Sequence, residues 1–326
     1  MHIRRHFMTL ALTLLSAAPL ASVAQTYPSR PVRMVVAFAP GGPTDVLARI
    51  LATGLTTALG QPVIVDNRAG GSGSLGTREV AKATANGYTL LFAGDAALTV
   101  VPQMMPNAGY DAQKDFTPLR LVASQSNVLV ANRAKGHSDV KALVAAAKAQ
   151  PDKLNFGSAG NGSPSHLIGA LFEAQTGISM THVPYKGAAP AMTDLLGGQI
   201  DLLFVGAPVA LQQAKRKELS LLAVTGAERL PSLPDVPTFA ELGIQGLGAD
   251  TAIWWAVMGP AGLPAPIQAR LDAALQAALA SPELQKSLKT QGVDVLNQDA
   301  KATSQSISRD FAKWGKLIQT KKISAD

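Results

Sequence analysis

Short apolar segments alternate with longer amphipathic segments along most of this chain. The short segments are rich in Val, Ile, Leu and Phe, which is typical of buried strands, and the longer ones repeat apolar residues at helical spacing. This alternation predicts an α/β fold with mainly parallel sheets. The predicted strands are 31–38, 62–65, 88–93, 119–123, 127–131, 154–157, 181–183, 200–205, 219–224 and 252–258, and the predicted helices are 45–59, 77–83, 140–149, 164–176, 189–196, 208–217, 266–291 and 300–323.

The last part of the chain departs from this alternation. After residue 258 the pattern predicts helices only, with a break and restart at Ser281-Pro282, where a capping residue precedes a proline. Segments 119–123 and 219–224 are candidates for strands that cross between two lobes. We therefore predict one lobe from residues 25–123 and 224–326, and a second, continuous lobe from residues 124–223.

Residues 1–24 have the pattern of a signal peptide. Arg4 and Arg5 precede an apolar run from Phe7 to Ala18 that is too short to cross a bilayer, and Ser22-Val23-Ala24 offers a cleavage site of small residues. We predict export to the periplasm, with cleavage after about Ala24.

Composition then removes several classes of function. The 326 residues include 29 Lys and Arg against 22 Asp and Glu, a net charge of +7 that by itself suggests a polyanionic partner. Two of those arginines lie in the signal peptide, and the remaining basic residues are scattered without interleaved aromatic residues, so we predict no nucleic-acid binding. The absence of cysteine excludes disulfides and a cysteine nucleophile.

Two glycine-rich segments between a predicted strand and a predicted helix are the strongest candidates for ligand chemistry. Segment 38–45 reads FAPGGPTD and segment 157–166 reads GSAGNGSPSH. Glycine lets the backbone approach a ligand closely, and free N–H groups at a helix start favour a carboxylate or phosphate. An ordinary turn capped by Thr44 or Asp45 fits the first segment equally well. For His166 we expect a neutral hydrogen-bonding role rather than catalysis.

A rival hypothesis rests on segment 71–76, GSGSLG, which matches the G-x-G-x-x-G pattern between a strand and a helix. With Asp95 closing the next strand as the acidic partner, the chain would be an exported dinucleotide-dependent enzyme. Against it, residues 66–69 separate the glycines from the strand. The chain has no G-x-S-x-G or P-loop pattern, and His137, His166 and His182 lack zinc spacing, so we predict no catalytic residue, metal or cofactor.

Several ordered motifs together resemble those of the Bug proteins, which are substrate-binding receptors of the tripartite tricarboxylate transporter family. The resemblance covers essentially the whole mature chain. The motifs are FAPGGPTD (38–45), VDNRAGG (65–71), GSAGNGSPSH (157–166), VPYKG (183–187) and LLGGQID (195–201).

The resemblance implies a type II periplasmic binding protein of the two-lobed Venus-flytrap kind, with a ligand cleft between the lobes and a helical C-terminal tail. It implies a monomer that binds a small carboxylated acid and then docks on membrane components of such a transporter, or on a sensor protein. At residues 94–97, GDAA replaces the hydroxyl-rich stretch expected there and introduces an acid. Carried onto this chain, the ligand-binding residues are Phe38, Pro40, Gly41, Gly42, Thr44, Asp45, Asp95, Ser158, Gly160, Asn161, Ser163, Ser165, His166, Lys186, Asp201 and Phe204.

Overall fold

A computed structural model describes residues 27–105, 107–248 and 251–324; the predicted signal peptide lies outside these ranges. The strands are β1 Val32–Val36, β2 Val63–Asn67, β3 Thr89–Gly94, β4 Phe116–Gln125, β5 Asn127–Asn132, β6 Asn155–Ser158, β7 Thr181–Pro184, β8 Leu202–Gly206, β9 Leu219–Val224, β10 Ile253–Pro260 and β11 Asp294–Gln298. The helices are α1 Pro43–Leu59, α2 Ser74–Ala81, α3 Asp95–Thr99, α4 Val101–Met104, α5 Val140–Ala149, α6 Pro164–Thr176, α7 Ala188–Leu196, α8 Ala207–Gln213, α9 Ala265–Ala280, α10 Pro282–Thr290 and α11 Ala300–Lys321.

The strands form two mixed sheets. The first has six strands in the order β11-β4-β10-β3-β1-β2, and the second has five in the order β7-β6-β8-β5-β9. The first sheet therefore takes its strands from residues 32–125 and 253–298, and the second from residues 127–224. The α/β class and the two-lobed architecture are confirmed, while the predicted lobe limits at residues 123/124 and 223/224 stay predictions.

The prediction of mainly parallel sheets was wrong. β1 pairs in parallel with β2 and β3, and β6 does so with β7 and β8, but β10 is antiparallel to β3 and β4, β11 is antiparallel to β4, and β5 is antiparallel to β8 and β9. The cause is the passage of the chain between the sheets. β5 and β10 each begin at the edge where the neighbouring parallel strands end, so they run in the opposite direction.

Two hydrophobic clusters cover the two faces of each sheet. One face of the first sheet packs on α1, α9 and α10, and its other face packs on residues of α2, α3 and α11. Helix α11 belongs to both halves of the molecule, because Ile307 packs with the first sheet whereas Trp314, Leu317 and Ile318 pack with the second. The predicted tail is not purely helical, because strand β11 lies between α10 and α11 and pairs with β4, but its last helix joins the two lobes.

Candidate functional site

The carboxyl ends of the parallel strands of both sheets meet at the boundary between the sheets. β4 ends at Gln125, only Ser126 intervenes, and β5 begins at Asn127. The amide of Ala207 donates to the carbonyl of Ser126 (2.9 Å), and that of Thr225 donates to the carbonyl of Asn127 (2.8 Å). This short crossover makes the loops after β1, β2 and β3 face the loops after β6, β7 and β8. Ligands of open α/β sheets bind outside such carboxyl ends.

The loop between β1 and α1 is held in shape by Asp45. The buried carboxylate accepts the N–H of Gly41 (2.9 Å) and Nε of Arg49 (3.0 Å) on Oδ2, and Nδ2 of Asn67 (2.9 Å) on Oδ1. Burial alone would raise the pKa of Asp45, but these hydrogen bonds, led by that from Arg49, hold it below its usual value. Asp45 therefore supports the loop, and its oxygens are already occupied.

The rest of this loop borders a cavity of about 210 Å³ between the two sheets. Nε1 of Trp255 donates to Oγ1 of Thr44 (3.0 Å), which fixes the indole against the start of α1. Both α1 and α8 begin at a glycine, Gly42 and Gly206, without a side-chain cap, so their first amides are not consumed by capping side chains. The cavity is lined by Gly41, Pro43, Val46, Leu47, Gln125, Pro208, Val209, Trp255, Gln291 and Val293.

The sequence did not assign Trp255 or Gln125 to the site. Trp255 follows Trp254, and the strand period places the two rings on opposite faces. Nε1 of Trp254 donates to Oδ2 of Asp310 (2.7 Å) on the α11 face, whereas Trp255 faces the cavity. The alternation of side chains along the strand therefore predicts that the two indole rings lie on opposite faces. It does not predict what each ring contacts, because those residues lie in distant segments of the chain. Phe38 is half-buried against the first core, and Pro40 is exposed.

The loop between β6 and α6, hereafter the serine loop (residues 158–166), is built from its own side chains. Oγ of Ser165 accepts the N–H of Ala159 (2.9 Å), Oγ of Ser158 accepts that of Gly160 (3.1 Å), and Nδ1 of His166 accepts that of Gly162 (3.1 Å). These contacts fix the backbone and make Ser158, Ser165 and His166 supports of the loop. Asn161 is exposed on the same loop.

Ser163 begins α6 in the way the Ser-Pro sequence predicts. It is the N-cap residue, Pro164 is the first helical residue, and the Ser163 hydroxyl accepts the N–H of His166 at 3.4 Å. Its Oγ also lies 3.1 Å from Oγ of Ser165. The predicted serine-rich helix start is confirmed as a local structure, and its contact with a ligand remains a proposal.

Two neutral imidazoles, one at the end of the serine loop and one on β7, stack on each other. His166 and His182 are stacked with ring centroids 3.7 Å apart, and Oγ of Ser158 lies 2.6 Å from Nε2 of His182. Burial lowers the pKa of both rings to about 4, and for His166 the neighbouring His182 contributes to that lowering. The Ser158–His182 pair has the distance of a catalytic dyad, but Ser158 is fully buried. A substrate cannot reach its hydroxyl, so the pair shapes the loop.

Asp201 and Phe204 do not join this group. Asp201 precedes β8, at the opposite edge of the second sheet, where it accepts the N–H of Asn155 (2.9 Å) and pairs with Lys135 (3.3 Å). Phe204 is buried in the core against Phe172. The family resemblance suggested both as ligand-binding residues, but strand direction and side-chain alternation place them elsewhere. Lys186 is exposed just after β7, at the carboxyl edge.

Asp95 begins α3 rather than closing β3. It is buried, its Oδ1 accepts the N–H of Ala96 (2.8 Å), and it lies near the charges of Asp310 and Lys313 on α11. Burial raises the pKa of Asp95 to about 7, and the carboxylate of Asp310 also raises it. The acid that replaces the expected hydroxyls therefore lies where the loop after β3 packs on α11.

A family model described as the tripartite tricarboxylate transporter family receptor matches residues 47–323. The chain belongs to this receptor family. Protein BugT of Bordetella pertussis is 38% identical over 304 residues, which cover 93% of this chain and 92% of the relative. The solved periplasmic binding protein BugD is 36% identical, with a TM-score of 0.75 over 91% of this chain and 99% of BugD. A protein of R. palustris solved with adipate is 34% identical, with a TM-score of 0.78 over 91% and 99%.

The geometry of this receptor excludes the dinucleotide fingerprint at residues 71–76. In the first sheet β1 lies between β2 and β3, so the glycine loop after β2 is separated from Asp95 by a strand, whereas the fingerprint needs neighbouring strands. A Cβ at Gly76 would lie 2.8 Å from the carbonyl oxygen of Arg68 and 2.9 Å from Cα of Ala37. Gly76 therefore serves helix–strand packing, and the rival hypothesis was wrong.

Among the residues that the structure describes, no cluster of three or more His, Asp or Glu side chains could hold a metal ion. None of the helices in residues 27–105, 107–248 and 251–324 is long and apolar enough to cross a membrane.

Proposed function

We propose that this receptor is exported and captures a small carboxylated organic acid between its two lobes. The observation that carries the proposal is that two glycine-rich strand-to-helix loops, one from each sheet, both lie at the carboxyl edges of parallel strands, on the side where the chain crosses between the sheets. The start of α1 presents amides without a capping side chain, and the start of α6 presents the Ser163 hydroxyl at the positive end of its helix; both suit a carboxylate. The adipate in the R. palustris relative supports the same class of ligand.

The mechanism that we propose is binding without catalysis. The uncapped start of α1 supplies amides from one lobe. The serine loop, whose own amides are held by internal hydrogen bonds, supplies the hydroxyl of Ser163 and the positive end of α6 from the other. Fixed donors lose little entropy on binding, which strengthens affinity. Trp255 and the valines of the cavity wall select the apolar body of the acid.

The proposal also covers the location, the oligomeric state and the partners of the protein. The mature chain begins near residue 25, acts as a monomer in the periplasm without a cofactor, and passes its ligand to membrane components of a tripartite tricarboxylate transporter or reports it to a sensor protein. The family match and the periplasmic relatives support this setting.

A thermal-shift screen of mono-, di- and tricarboxylates, aliphatic and aromatic, with amino acids and NAD included, tests the function. At least one acid is expected to raise Tm in a concentration-dependent way. Stabilisation by NAD and by no acid would contradict the proposal.

The substitution Gly42→Val tests the site. Gly42 has φ −78°, and a Cβ there would come no closer than 3.7 Å to another atom, so valine is tolerated by the backbone and projects into the loop that faces the cleft. Affinity for the stabilising acid is expected to fall at least about tenfold, with little change in Tm. Gly197→Val is the matched control, because Gly197 also has a negative φ (−75°) and an open Cβ position, but follows α7 at the opposite edge of the second sheet. Equal affinity in both variants would place the ligand elsewhere.

A further inference from the structure

One half-buried polar side chain in the wall of the cavity between the sheets has no hydrogen-bond partner. The wall consists of glycine, proline, valine and leucine residues together with Trp255, Gln125 and Gln291. The indole N–H of Trp255 is already bonded to Thr44, and Gln291 is exposed. Gln125 is half-buried, and no hydrogen bond among the described residues uses its side-chain amide.

The amide of Gln125 is open to the cavity rather than sealed in protein. Among the described residues, the one buried side-chain polar atom without a partner is Nδ2 of Asn127, two positions further along the chain. The nitrogen and the oxygen of the Gln125 amide are therefore accessible, and Gln125 lines the cavity. A small molecule in the cavity reaches this amide without any movement of the fold.

Strand geometry directs Gln125 into the cavity. Gln125 ends β4, and side chains alternate along a strand, so it shares the face of Ala123, which packs in the same core as Trp255. Its Nε2 lies 2.6 Å from the position that a Cβ would take on Gly206, the residue at which α8 begins. Gln125 thus extends from the first sheet to the start of a helix in the second lobe.

Other half-buried glutamines of the chain show what a structural role looks like. Nε2 of Gln268 donates to the carbonyl of Leu263 (2.6 Å), and Nε2 of Gln103 donates to the carbonyl of Phe311 (2.9 Å). Both side chains hold a helix in place. The amide of Gln125 holds nothing, so the fold loses no internal hydrogen bond without it.

The charge of the cavity limits what this amide can bind. No charged side chain belongs to the wall, and the uncapped start of α1 at Gly42 favours a single carboxylate. A second carboxylate would enter a space without a counter-ion, and burial of an unpaired charge is costly. A primary amide offers both a donor and an acceptor, and a hydroxyl or a carboxamide matches both.

We propose that Gln125 binds the uncharged polar end of the ligand, a hydroxyl or a carboxamide, while the start of α1 holds the carboxylate. This inference rests on the proposed function and narrows its ligand to monocarboxylic acids with such an end. An acid with an alkyl end leaves the amide without a partner. A diacid presents a carboxylate, which cannot donate to Oε1 of Gln125. Both therefore bind less tightly.

Two series of acids test the inference by isothermal titration calorimetry on the full mature chain. The four-carbon series is butanoate, 4-hydroxybutanoate, succinamate and succinate, and the six-carbon series is hexanoate, 6-hydroxyhexanoate, adipamate and adipate. Within each series only the end remote from the first carboxylate changes. In at least one series the wild type is expected to bind the hydroxyl- or carboxamide-ended acid at least about tenfold more tightly than both the methyl- and the carboxylate-ended acids.

Three variants assign this preference to a residue. Gln125→Met keeps the length of the side chain, and the preference over the methyl-ended acid is expected to fall below about threefold, with Tm unchanged because no internal hydrogen bond is lost. In Gln125→Glu a charge replaces the amide, so the preference over the carboxylate-ended acid is expected to widen. Gln268→Met is the matched control: Tm is expected to fall with the loss of the bond to Leu263, while the preference persists.

The outcomes separate the inference from the proposed function. Equal affinities for all ends in both series, or tightest binding of a diacid, would overturn the inference and leave carboxylate binding standing. It would also be overturned by a preference that survives in Gln125→Met, does not widen in Gln125→Glu, or is lost equally in Gln268→Met. Absence of binding by all the acids of both series and of the thermal-shift panel would overturn the proposed function itself.

Discussion

At the scale of single residues, the serine loop depends on two histidines that must stay neutral. Nδ1 of His166 can accept the N–H of Gly162 only while it is unprotonated. Burial lowers the pKa of both His166 and His182 to about 4, against about 6.5 in an unfolded chain. Below pH 6.5 the two histidines therefore bind protons in the unfolded state but not in the folded state. The free energy of unfolding falls as the pH drops from about 6.5 to about 4 and then levels off.

We expect His182→Gln to flatten this pH dependence. Glutamine keeps a polar group near Ser158 but does not titrate. Between pH 7.5 and pH 5 the free energy of unfolding of the wild type is expected to fall by up to about 2 kcal/mol more than that of the variant, as measured by urea denaturation. The opposing contribution of Asp95, whose pKa is raised to about 7 by burial, is common to both proteins and cancels in the difference. Parallel pH profiles would show that His182 is not buried as a neutral ring.

At the scale of elements, the sequence predicted those helices and strands whose ends are fixed by interactions between nearby residues. The bounds of α5, α6 and β9 agree with the prediction, and the break at Ser281 is confirmed, with its Oγ accepting the N–H of Leu284 at 3.4 Å. These elements carry their own caps and periodicity.

The elements that the sequence did not predict depend on distant partners. β11 is a short edge strand that pairs with β4, about 170 residues earlier, and Asn297 within it has φ +47°. The helices α3 and α4 have only five and four residues, and packing on α11 and on the second core holds them. The pattern within a short stretch of sequence carries no information about contacts between residues so far apart in the chain.

The cap at the serine loop gives a prediction at this scale. Ser163→Ala removes the N-cap of α6 and is expected to cost about 1 kcal/mol, because an orphan helix amide loses its acceptor. It also loosens the loop, so acid affinity is expected to fall severalfold. Asp139→Ala is the control: Asp139 caps α5 through the N–H of Ala142 (2.8 Å) outside the candidate site, and its loss is expected to lower Tm without lowering affinity. Unchanged affinity in Ser163→Ala would remove the serine loop from the site.

At the scale of the whole molecule, α11 makes two sheets into one structure. Its first half packs on the first sheet, and Trp254 donates to its Asp310. Its second half packs on the second sheet, and Lys321 pairs there with Glu173 (3.2 Å). The sequence predicted a helix at residues 300–323. It did not predict that this helix packs in the cores of both sheets, because that depends on how the two sheets are placed in the folded protein.

We expect Trp314→Ala to destabilise both lobes together. Trp314 is buried in the core of the second sheet, and its truncation is expected to cost about 3–5 kcal/mol. The chain has three tryptophans, so fluorescence of the variant comes from Trp254 and Trp255 in the first sheet alone. That signal is expected to change at the same, lowered urea concentration as the circular dichroism of the whole protein. Fluorescence that kept the wild-type midpoint would show that the lobes unfold independently.

The candidate site shows the same limit of sequence reasoning. Both glycine-rich loops were found from their own residues, since the turn chemistry is local. The roles within them were not, because Asp45, Ser165 and His166 turn inward to hold amides, and because Trp255 reaches the cavity from a strand that is distant in sequence.

The helix shared by both cores also sets an order of assembly. Residues 300–321 follow every strand of both sheets along the chain, and β10, which pairs with both β3 and β4, comes about 160 residues after β3. Neither core is complete before these residues have been synthesised, and pairings of such long range form slowly. Until α11 has been made, a nascent chain therefore lacks part of both cores, which favours the incompletely folded state in which a polypeptide can still be threaded through a membrane pore.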